Sequence, residues 1–331
     1  MKIVFFMRRP RPGFNFSVEF IFDCVRRNLG PEFEPVVATS RFLSNGLWRR
    51  VYNVIEAAFR QGDVNHVTGD VHILTYLLRK RKTILTVLDC LPIEGEMTLR
   101  RRLIKLLWYT LPVRRSGLVT VISRAVKDDL LRHLAVDPEK VHVVPVFVSP
   151  HYRPSPRPFR ADKPVILQIG TKLNKNVPRL IEALAGIPCR LEIVGRLNDE
   201  LQALLARQRI EYASYANLSD AEMLERYQNA DIVAFASLFE GFGMPILEAN
   251  LVGRPVVAGN VSAMPEIAGE AACLVDPFDV SSIRAGILRV IHDPPYREAL
   301  VRRGFENAAR YDVIAITRQY EALYRQVASG A

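Results

Sequence analysis

Strand-like and helix-like segments alternate twice along this chain, with a proline-rich segment between the two series. In the first half, short apolar runs predict strands at 2–7, 35–39, 64–67, 83–88, 118–122 and 141–144. Amphipathic segments between these runs predict helices, and such an order is typical of a parallel sheet covered by helices. A second series of the same kind begins at Val165. The sequence therefore predicts an α/β protein with two Rossmann-like, doubly wound parallel-sheet domains.

The segment at 149–164 contains five prolines, a composition that is typical of a linker. We therefore expect an N-terminal domain at 1–153 and a C-terminal domain at 164–311. Two such domains joined by a hinge would face a cleft. Ligands of open α/β sheets bind beyond the carboxyl ends of the strands, so the cleft is where we expect the site.

The composition is that of a globular protein with room for two domains, because the chain has 331 residues and is 49% hydrophobic. No run of about 18 apolar residues is present, so we expect no transmembrane helix. The first apolar run is too short for a signal peptide. The four cysteines are scattered without metal-site spacing, which favours a cytoplasmic protein with reduced thiols in its core.

The net charge of +10 lies entirely in the first half of the chain. Residues 1–150 contain 24 Lys and Arg against 14 Asp and Glu, whereas residues 151–331 contain 21 of each. A basic domain attracts anionic partners, so a phosphorylated substrate and an anionic membrane surface are both candidates. Nucleic acid ranks last, because the basic half has no recognised nucleic-acid-binding module.

The segment Leu99–Trp108 combines four leucines on one helical face with Arg100, Arg101 and Lys105 elsewhere. Such a segment can lie in a membrane interface. More often an apolar stripe of this kind packs into the core, and that interpretation is the favoured one.

Two glutamates, Glu240 and Glu248, stand eight positions apart on either side of a glycine turn. The preceding run at 231–237 predicts a buried parallel strand, and Pro245 suits the first turn of a helix. A strand, a glycine turn and a helix N-terminus together form an anion-binding site, with one carboxylate at each end of the ligand. The alternative is a capped helix with two surface glutamates.

Two cations follow predicted strands of the second series. Lys175 lies in the loop that begins at Gly170, and Arg196 follows the next strand. Together they are suited to neutralising a departing diphosphate, although each one alone is more simply a solvated loop residue. In the first domain, Gly13 precedes a predicted helix that starts at Ser17, and a glycine there lets a phosphate approach the backbone.

Four motifs carry a family resemblance: GTKLNKN at 170–176, VGR at 194–196, FEGFGMPILEAN at 239–250 and MPEIAGEAACLVDP at 264–277. Together they resemble the donor-binding domain of retaining glycosyltransferases of family 4, which have the two-domain GT-B fold. The resemblance is strong over about 165–290 and looser in the first domain. It implies that a C-terminal helix at about 312–331 returns to the first domain.

The resemblance implies roles for individual residues. Glu248 is similar to the glutamate that binds the nucleotide ribose, and Glu240 to the one that orients the donor sugar. Lys175 and Arg196 look like the diphosphate-binding cations and, with Glu240, are the implied catalytic residues. Further implied donor contacts are Gly13, Gly170, Thr171, Tyr215, Phe242, Gly243, Met244 and Pro245. Candidates on the acceptor side are His66, Asp70, Asp89 and Ser123. Such enzymes use fixed cations in place of a divalent metal, so no metal or other cofactor is expected.

Two positions depart from the family pattern. Thr171 stands where members often carry an arginine, and Leu88 precedes Asp89 where members often have His-Asp. An imidazole that often lies near the transferred sugar is therefore missing, and His66 or Asp89 is a candidate to replace it.

The expected reaction is transfer of a hexosyl group from a nucleotide diphosphate sugar to an acceptor hydroxyl, with retention of configuration. The acceptor would be a glycan or a lipid-linked or phosphorylated molecule, used in polysaccharide, glycolipid or cell-envelope glycan synthesis. Peripheral attachment to the inner membrane face would follow from a lipid-linked acceptor. The alternatives are a nucleotide-sugar epimerase and a catalytically altered protein that only binds nucleotide sugars.

Overall fold

The protein is described by a computed structural model over residues 1–9, 17–96 and 98–330. The chain forms two compact units. The first comprises Met1–Phe147 and the C-terminal segment from Val313, and the second comprises Val148–Asp312.

The first unit is built on a six-stranded parallel sheet. Its strands occur in the spatial order β2-β1-β3-β4-β5-β6, so the winding direction reverses between β1 and β3. The registers pair Ile3 with Pro35 in β2 and with Val64 in β3. The strand bounds are β1 Lys2–Met7, β2 Glu34–Thr39, β3 Val64–Val67, β4 Thr83–Val87, β5 Leu118–Val121 and β6 Val141–Val143.

Helices and helical turns cover this sheet and connect its strands. Between Leu99 and Arg115 the chain is continuously helical, with six central residues in π-helical geometry. The first-unit helices are α1 Ser17–Arg27, α2 Leu47–Ala58, α3 Leu99–Ile104, the π-helical turn Lys105–Thr110, α4 Leu111–Arg115, α5 Arg124–His133 and the C-terminal helix Val313–Ser329, here α13 in chain order. The segment between β3 and β4, where the alternation predicts a helix, contains instead a short 3₁₀ helix, His72–Tyr76.

The second unit repeats the architecture with a sheet in the order β12-β11-β10-β7-β8-β9, again entirely parallel. The winding direction reverses between β7 and β10. Its strands are β7 Val165–Ile169, β8 Arg190–Val194, β9 Glu211–Tyr215, β10 Ile232–Phe235, β11 Val256–Gly259 and β12 Cys273–Val275. Its helices are α6 Val177–Leu184, α7 Asp199–Arg207, α8 Asp220–Asn229, α9 Met244–Val252, α10 Met264–Ala268, α11 Val280–His292 and α12 Pro294–Ala309.

The central strands explain why these sheets form. Every residue of β4, β5, β10 and β11 is buried, because helices pack on both faces and no side of the strand meets water. Apolar cores lie on each face of the second sheet, one containing Ile166 and Leu191 and the other Leu167 and Phe235. The predicted class of two doubly wound parallel sheets is therefore confirmed. No helix within the described ranges combines the length and apolar character needed to cross a bilayer.

The proline-rich segment is not a free linker, which corrects the sequence-based prediction for 149–164. Asp231 is buried, and Arg157 and Arg160 both form ion pairs with its carboxylate. Ser155 donates its backbone N–H to the carbonyl of Val252 and accepts a hydrogen bond from Arg254 on its own carbonyl. These contacts attach the segment to the second unit, so that unit begins at Val148.

The C-terminal helix α13 belongs to the first unit. Gly30 donates its backbone N–H to the Glu321 carboxylate at 2.7 Å, and Lys82 donates to the carbonyl of Ala328 at 2.6 Å. Tyr320 and Tyr324 from this helix are buried against the sheet. The helix therefore closes one face of the first unit although it follows the second unit in sequence.

The leucines at 99–107 are exposed, which corrects the favoured interpretation that this stripe packs into the core. Leu99, Leu103, Leu106 and Leu107 all face solvent, whereas Tyr109 is buried. An amphipathic period specifies that a helix has an apolar face but does not specify what that face contacts.

Candidate functional site

The loops after β7 and β10 meet where the winding of the second sheet reverses. These two strands are paired side by side, so the loops at their carboxyl ends share one edge of the sheet. Such a reversal point is where open α/β sheets bind their ligands. The loops bring together Gly170, Lys175 and Glu240 from the predicted site.

Lys175 and Glu240 form an ion pair at this point, with 2.6 Å between Nζ and Oε1. Both side chains are mostly buried, at 18% and 15% exposure. The Lys175 ammonium also lies 4.7 Å from the centroid of the Phe235 ring, and Asn174 donates to the carbonyl of Phe239. The cation predicted for the diphosphate is thus neutralised by the carboxylate predicted for the sugar.

Gly170 makes room for the lysine. Its φ is +87°, and a Cβ at this position would lie 3.0 Å from the Lys175 side-chain carbons. The lysine stem therefore crosses the turn through the space that the missing side chain leaves.

Asn176 holds the loop in place. It is buried with a left-handed backbone, and its amide nitrogen donates to the carbonyls of Ala236 and Pro277. These bonds tie the loop after β7 to the loops after β10 and β12. Local sequence gives no signal for this role, because both partners are distant in the chain.

Ser262 fixes the loop that carries Glu240. Its hydroxyl donates to the Glu240 carbonyl at 2.6 Å and accepts from the Glu240 backbone N–H at 3.3 Å. The backbone of Ser262 is left-handed, with φ of +57°. Sequence reasoning missed this residue, since a serine after a strand is an unremarkable loop residue.

The N-terminus of α9 faces the same edge. Gly243 adopts φ of +113° just before the helix, and Pro245 occupies its first turn. The backbone N–H groups of Phe242, Gly243 and Met244 make no hydrogen bond to another described residue. Unpaired N–H groups at a helix N-terminus are suited to binding phosphate or carboxylate oxygens. The Phe242 side chain is itself buried, in edge contact with the Tyr311 ring.

Glu248 lies one turn into α9 and contacts two tyrosines. Tyr227, fully buried on α8, donates its hydroxyl to Oε2 of Glu248, and Tyr152 also hydrogen bonds to this carboxylate. The two tyrosine rings meet edge to face at 5.4 Å. Burial raises the pKa of Glu248 to about 7, although the tyrosine bonds and Lys175 oppose that shift. Neither tyrosine was predicted from the sequence.

Arg196 follows β8 and points into solvent, without a hydrogen bond or ion pair to another described residue. The preceding Gly195 has φ of +145°, and a Cβ there would come within 2.7 Å of the Thr171 side chain. Thr171 thus packs against Gly195 in the structure. The β-branched Thr171 side chain fills the space beside Gly195. In the loop after β8, Arg196 is the cation without a partner among the described residues.

Tyr215 ends β9, and its ring is occupied within the second unit. Arg226 stacks on this ring at 4.6 Å and donates to its hydroxyl at 3.1 Å. The donor contact that the resemblance implies for Tyr215 would therefore use its backbone.

His66 is not an accessible acceptor contact, which corrects the sequence-based prediction. It lies within β3 and is completely buried; its Nδ1 bonds to the Tyr324 hydroxyl and its Nε2 to Thr86 Oγ1. Desolvation lowers its pKa to about 3, so the imidazole is neutral. Its role is to anchor α13 to the sheet.

The other acceptor-side candidates follow first-unit strands at their carboxyl ends. Asp70 is exposed and pairs with Arg8 at 3.0 Å, and Asp89 accepts a hydrogen bond from the backbone of Leu91. Ser123 is buried and caps α5 by accepting from Val126 N–H. Gly13 lies outside the described residues. Among the described residues, no three His, Cys, Asp or Glu side chains are grouped so that they could hold a metal ion.

Comparison with known proteins relates the second unit to glycosyltransferases. Residues 154–307 match the family model described as "Glycosyl transferases group 1", and the match covers every second-unit site residue except Tyr152. In sequence, the chain is 30% identical over 218 residues to the MMP alpha-(1->4)-mannosyltransferase of Mycolicibacterium hassiacum, covering 62% of this chain and 53% of that protein. It is 34% identical over 173 residues to the O-antigen chain mannosyltransferase B of Escherichia coli, covering 48% and 45% respectively. The aligned region thus spans about half the length of these relatives.

The fold is shared with solved glycosyltransferase structures. The structure of Anabaena HepE in complex with UDP-glucose superposes with a TM-score of 0.78, over 98% of this chain and 99% of that one, at 20% identity. This likeness confirms the predicted GT-B fold class. The chain therefore has the GT-B fold, and its second unit is similar to group 1 glycosyltransferases over residues 154–307.

Proposed function

We propose that the protein transfers a hexosyl group from a nucleotide diphosphate sugar to an acceptor hydroxyl, with retention of anomeric configuration. The observation that carries this proposal is the meeting of the Lys175–Glu240 pair with the unpaired N–H groups at the start of α9. This arrangement offers a cation, a carboxylate and backbone donors at the reversal point of a parallel sheet. Those are the groups that a sugar diphosphate requires.

The donor would lie along the start of α9. The Glu248 carboxylate would accept hydrogen bonds from the ribose hydroxyls, and Glu240 would accept from hydroxyls of the sugar. The diphosphate oxygens would accept hydrogen bonds from the backbone N–H groups of Phe242, Gly243 and Met244. Arg196, exposed and unpaired among the described residues, is available to bind a phosphate oxygen without first losing a partner.

The barrier to transfer is mainly one of charge. The bond between the anomeric carbon and the diphosphate oxygen breaks, which leaves negative charge on the phosphate and positive charge on the sugar. Lys175 and Arg196 would stabilise the leaving diphosphate, and Glu240 the cationic sugar. The acceptor hydroxyl would attack from the face that the diphosphate leaves and pass its proton to the leaving phosphate, so configuration is retained. The fixed cations would make a divalent metal unnecessary.

The nature of the substrates is proposed from similar proteins and from charge. Two relatives are mannosyltransferases by name, and the HepE structure contains UDP-glucose, which supports a nucleotide-linked hexose as donor. The basic first half supports an anionic acceptor, either phosphorylated or lipid-linked. We propose that the protein acts in glycan or glycolipid synthesis, in the cytoplasm at the inner membrane face.

The direct test is incubation with UDP-, GDP- and ADP-hexoses in the presence of a chelator, with and without lipid-phosphate and oligosaccharide acceptors. Acceptor-dependent release of one nucleoside diphosphate, with a retained anomer in the product by NMR, would support the proposal. Conversion of the donor to an epimeric nucleotide sugar without an acceptor would show an epimerase. Tight donor binding without any turnover would show a binding protein.

Nucleotide affinity should fall as the pH drops through about 7. The ribose hydroxyls need an ionised carboxylate, and burial raises the pKa of Glu248 to about 7 in the free protein. Nucleotide binding would lower the pKa of Glu248. The affinity should therefore be highest at pH values above the pKa of the free protein and should weaken by up to about tenfold per pH unit below it. Calorimetric titration with the cognate nucleoside diphosphate between pH 5.5 and about 8.5 would measure this dependence.

Two substitutions identify the group responsible for that pH dependence. Tyr227→Phe removes a donor that favours the ionised carboxylate, so the midpoint should move to higher pH. Tyr212→Phe, at a more exposed tyrosine of the same unit, should leave it unchanged. A profile that is identical in Tyr227→Phe and the parent protein would exclude Glu248 as its source.

A further inference from the structure

Helix α2 presents its apolar side to solvent. Six residues form one stripe along it, and all are exposed, with Trp48 at 83% and Phe59, just after the helix, at 86%. The buried side of the same helix is narrow and contains only Asn53, Val54 and Ala57. A surface helix of a globular protein has the opposite arrangement, with its apolar side toward the core. The stripe consists of Leu47, Trp48, Val51, Tyr52, Ile55 and Phe59.

A second apolar row lies on the helical segment from Leu99 to Arg115. Its four leucines are spaced by four, three and one residues, which places them on one side of the helix. All four are exposed, with Leu99 at 77%. This leucine row consists of Leu99, Leu103, Leu106 and Leu107.

Contacts between the two segments make them neighbours within the first unit. The Arg50 guanidinium of α2 stacks 4.4 Å from the centroid of the Trp108 ring, next to the leucine row. The 3₁₀ helix between them bonds to the same place, since Tyr76 donates its hydroxyl to the carbonyl of Leu107. The next residue, Leu77, is also exposed. The α2 stripe and the leucine row therefore belong to one part of the first unit.

Cations accompany both rows of apolar residues. Residues 41–60 contain four arginines and one glutamate, and that glutamate, Glu56, pairs with Arg60. Residues 98–115 contain five arginines, one lysine and no acidic residue. The net charges of these two segments are therefore +3 and +6. Much of the positive charge of the first half thus lies on the segments that carry the apolar rows.

We propose that this surface, the α2 stripe with the leucine row and their cations, docks onto an anionic lipid bilayer. Helices that lie in a membrane interface have an apolar side with Trp, Phe and Leu and a polar side rich in Lys and Arg. Tryptophan and tyrosine favour the headgroup level, and basic residues beside them are attracted to anionic headgroups. This assigns residues to the membrane attachment proposed above but does not depend on glycosyl transfer.

Charge distinguishes a bilayer from a second copy of this chain. Interfaces between two copies of a chain exclude charge from their apolar centre, and two such surfaces would place like charges opposite each other. An anionic bilayer instead satisfies both the exposed apolar rows and the cations around them. Binding should therefore need anionic lipid and weaken as salt is raised.

The chain has only two tryptophans, which gives a direct probe. In a Trp108→Phe variant, emission comes from Trp48 alone. We expect that emission to shift to the blue when vesicles of phosphatidylglycerol and phosphatidylcholine are added, and to be quenched by brominated lipid. Pure phosphatidylcholine vesicles should produce little change at the same salt concentration.

Substitution tests the surface itself by vesicle co-sedimentation. Trp48→Ser with Phe59→Ser should lower partitioning onto phosphatidylglycerol vesicles by roughly tenfold or more. The matched control is Leu173→Ser with Phe278→Ser, which removes exposed apolar side chains from the second unit and should bind as the parent does. An unfolding midpoint like that of the parent would show that the first unit of the Trp48/Phe59 variant is intact, and nucleotide binding, which involves the second unit, should be unchanged.

Three results would overturn the proposal: no binding of the parent protein to anionic vesicles, equal binding by the Trp48/Phe59 variant, or a lipid-free dimer that this variant abolishes. Failure here would leave the proposed reaction standing, because nucleotide binding is measured without lipid. Conversely, vesicle binding by a protein that binds no nucleotide would retain the docking surface and reject the proposed reaction.

Discussion

Lys175→Ala should lower turnover by about 100-fold, and saturating donor should not restore it. The lysine would meet charge that develops on the leaving diphosphate, so its loss acts on the transition state more than on donor binding. Removal of one preorganised electrostatic contact typically costs 10²–10³ in kcat, about 2.7–4 kcal/mol. Steady-state kinetics with the cognate donor would measure the change, which should appear in kcat and only weakly in KM.

The ion pair with Glu240 makes this prediction specific. In the free protein the lysine contacts the carboxylate at 2.6 Å, so both groups are positioned before a donor arrives. Lys172→Ala is the matched control, because that lysine lies on the same loop and is exposed. It should retain nearly full activity. Equal losses in the two variants would show that the loop only needs general positive charge.

The glycine at the start of the loop provides a second test. Gly170→Ala and Gly186→Ala both place an alanine at positive φ, so both should destabilise the protein by about 1–2 kcal/mol. Only Gly170→Ala brings a methyl group to 3.0 Å from the Lys175 stem, whereas Gly186 has open space around it. Activity should therefore fall in the first variant alone. Similar activity in both variants would contradict the geometry assigned to Lys175.

His66→Ala should destabilise the first unit by about 3 kcal/mol. The substitution leaves the Tyr324 hydroxyl without its histidine partner and opens a cavity among Phe5, Phe22 and Tyr320. Thr86 would still bond to Thr120, at 2.7 Å. Denaturant unfolding followed by fluorescence would give the free energy of unfolding. Detachment of α13 should accompany the loss and would appear as faster proteolysis of the C-terminal helix.

The same histidine should make the first unit sensitive to acid. Its folded pKa, about 3, lies below its unfolded value of 6.5, so the unfolded chain binds more protons between these values. Stability from this group is therefore complete above pH 6.5 and decreases toward pH 3, by at most about 1.4 kcal/mol per pH unit. Burial also lowers the pKa of His72 and of His142. Both histidines therefore also make the free energy of unfolding decrease as the pH falls.

A comparison of variants isolates the contribution of His66. His66→Gln cannot titrate, so its unfolding free energy should decline less steeply between pH 6.5 and 4.5 than that of the parent. His151→Gln, at an exposed position, should follow the parent curve. If the unfolding free energy of His66→Gln declines with decreasing pH as steeply as that of the parent, the buried imidazole does not cause the loss of stability in acid.

The fold was predictable because local sequence patterns indicate each of its strands and most of its helices. Each strand is a short apolar run between turn residues, and the alternation with helices identifies a parallel sheet without knowledge of any contact. The meeting of Lys175 and Glu240 was predictable for the same reason. Each lies in the loop after a strand, and strand ends of one parallel sheet meet at one edge.

The errors concern residues whose partners are far away in sequence. His66 looked like a site residue because it lies near the end of a strand, but its partner Tyr324 is 258 residues distant. Tyr152 was assigned to a linker, although it bonds to Glu248 in the second unit. The leucine row has the period of a helix. That period does not indicate whether water or protein contacts the leucines. Such contacts are tertiary and leave no local signal.

A nucleoside diphosphate should bind at the start of α9 through Glu248. Calorimetric titration of the purified protein with UDP, GDP and ADP and their common hexoses, in chelator, tests it most directly. We predict saturable binding of one nucleotide class, lost in Glu248→Ala and retained in the Trp48→Ser/Phe59→Ser variant. Binding of no nucleotide, or equal affinity in Glu248→Ala, would mean that the start of α9 is not a nucleotide site.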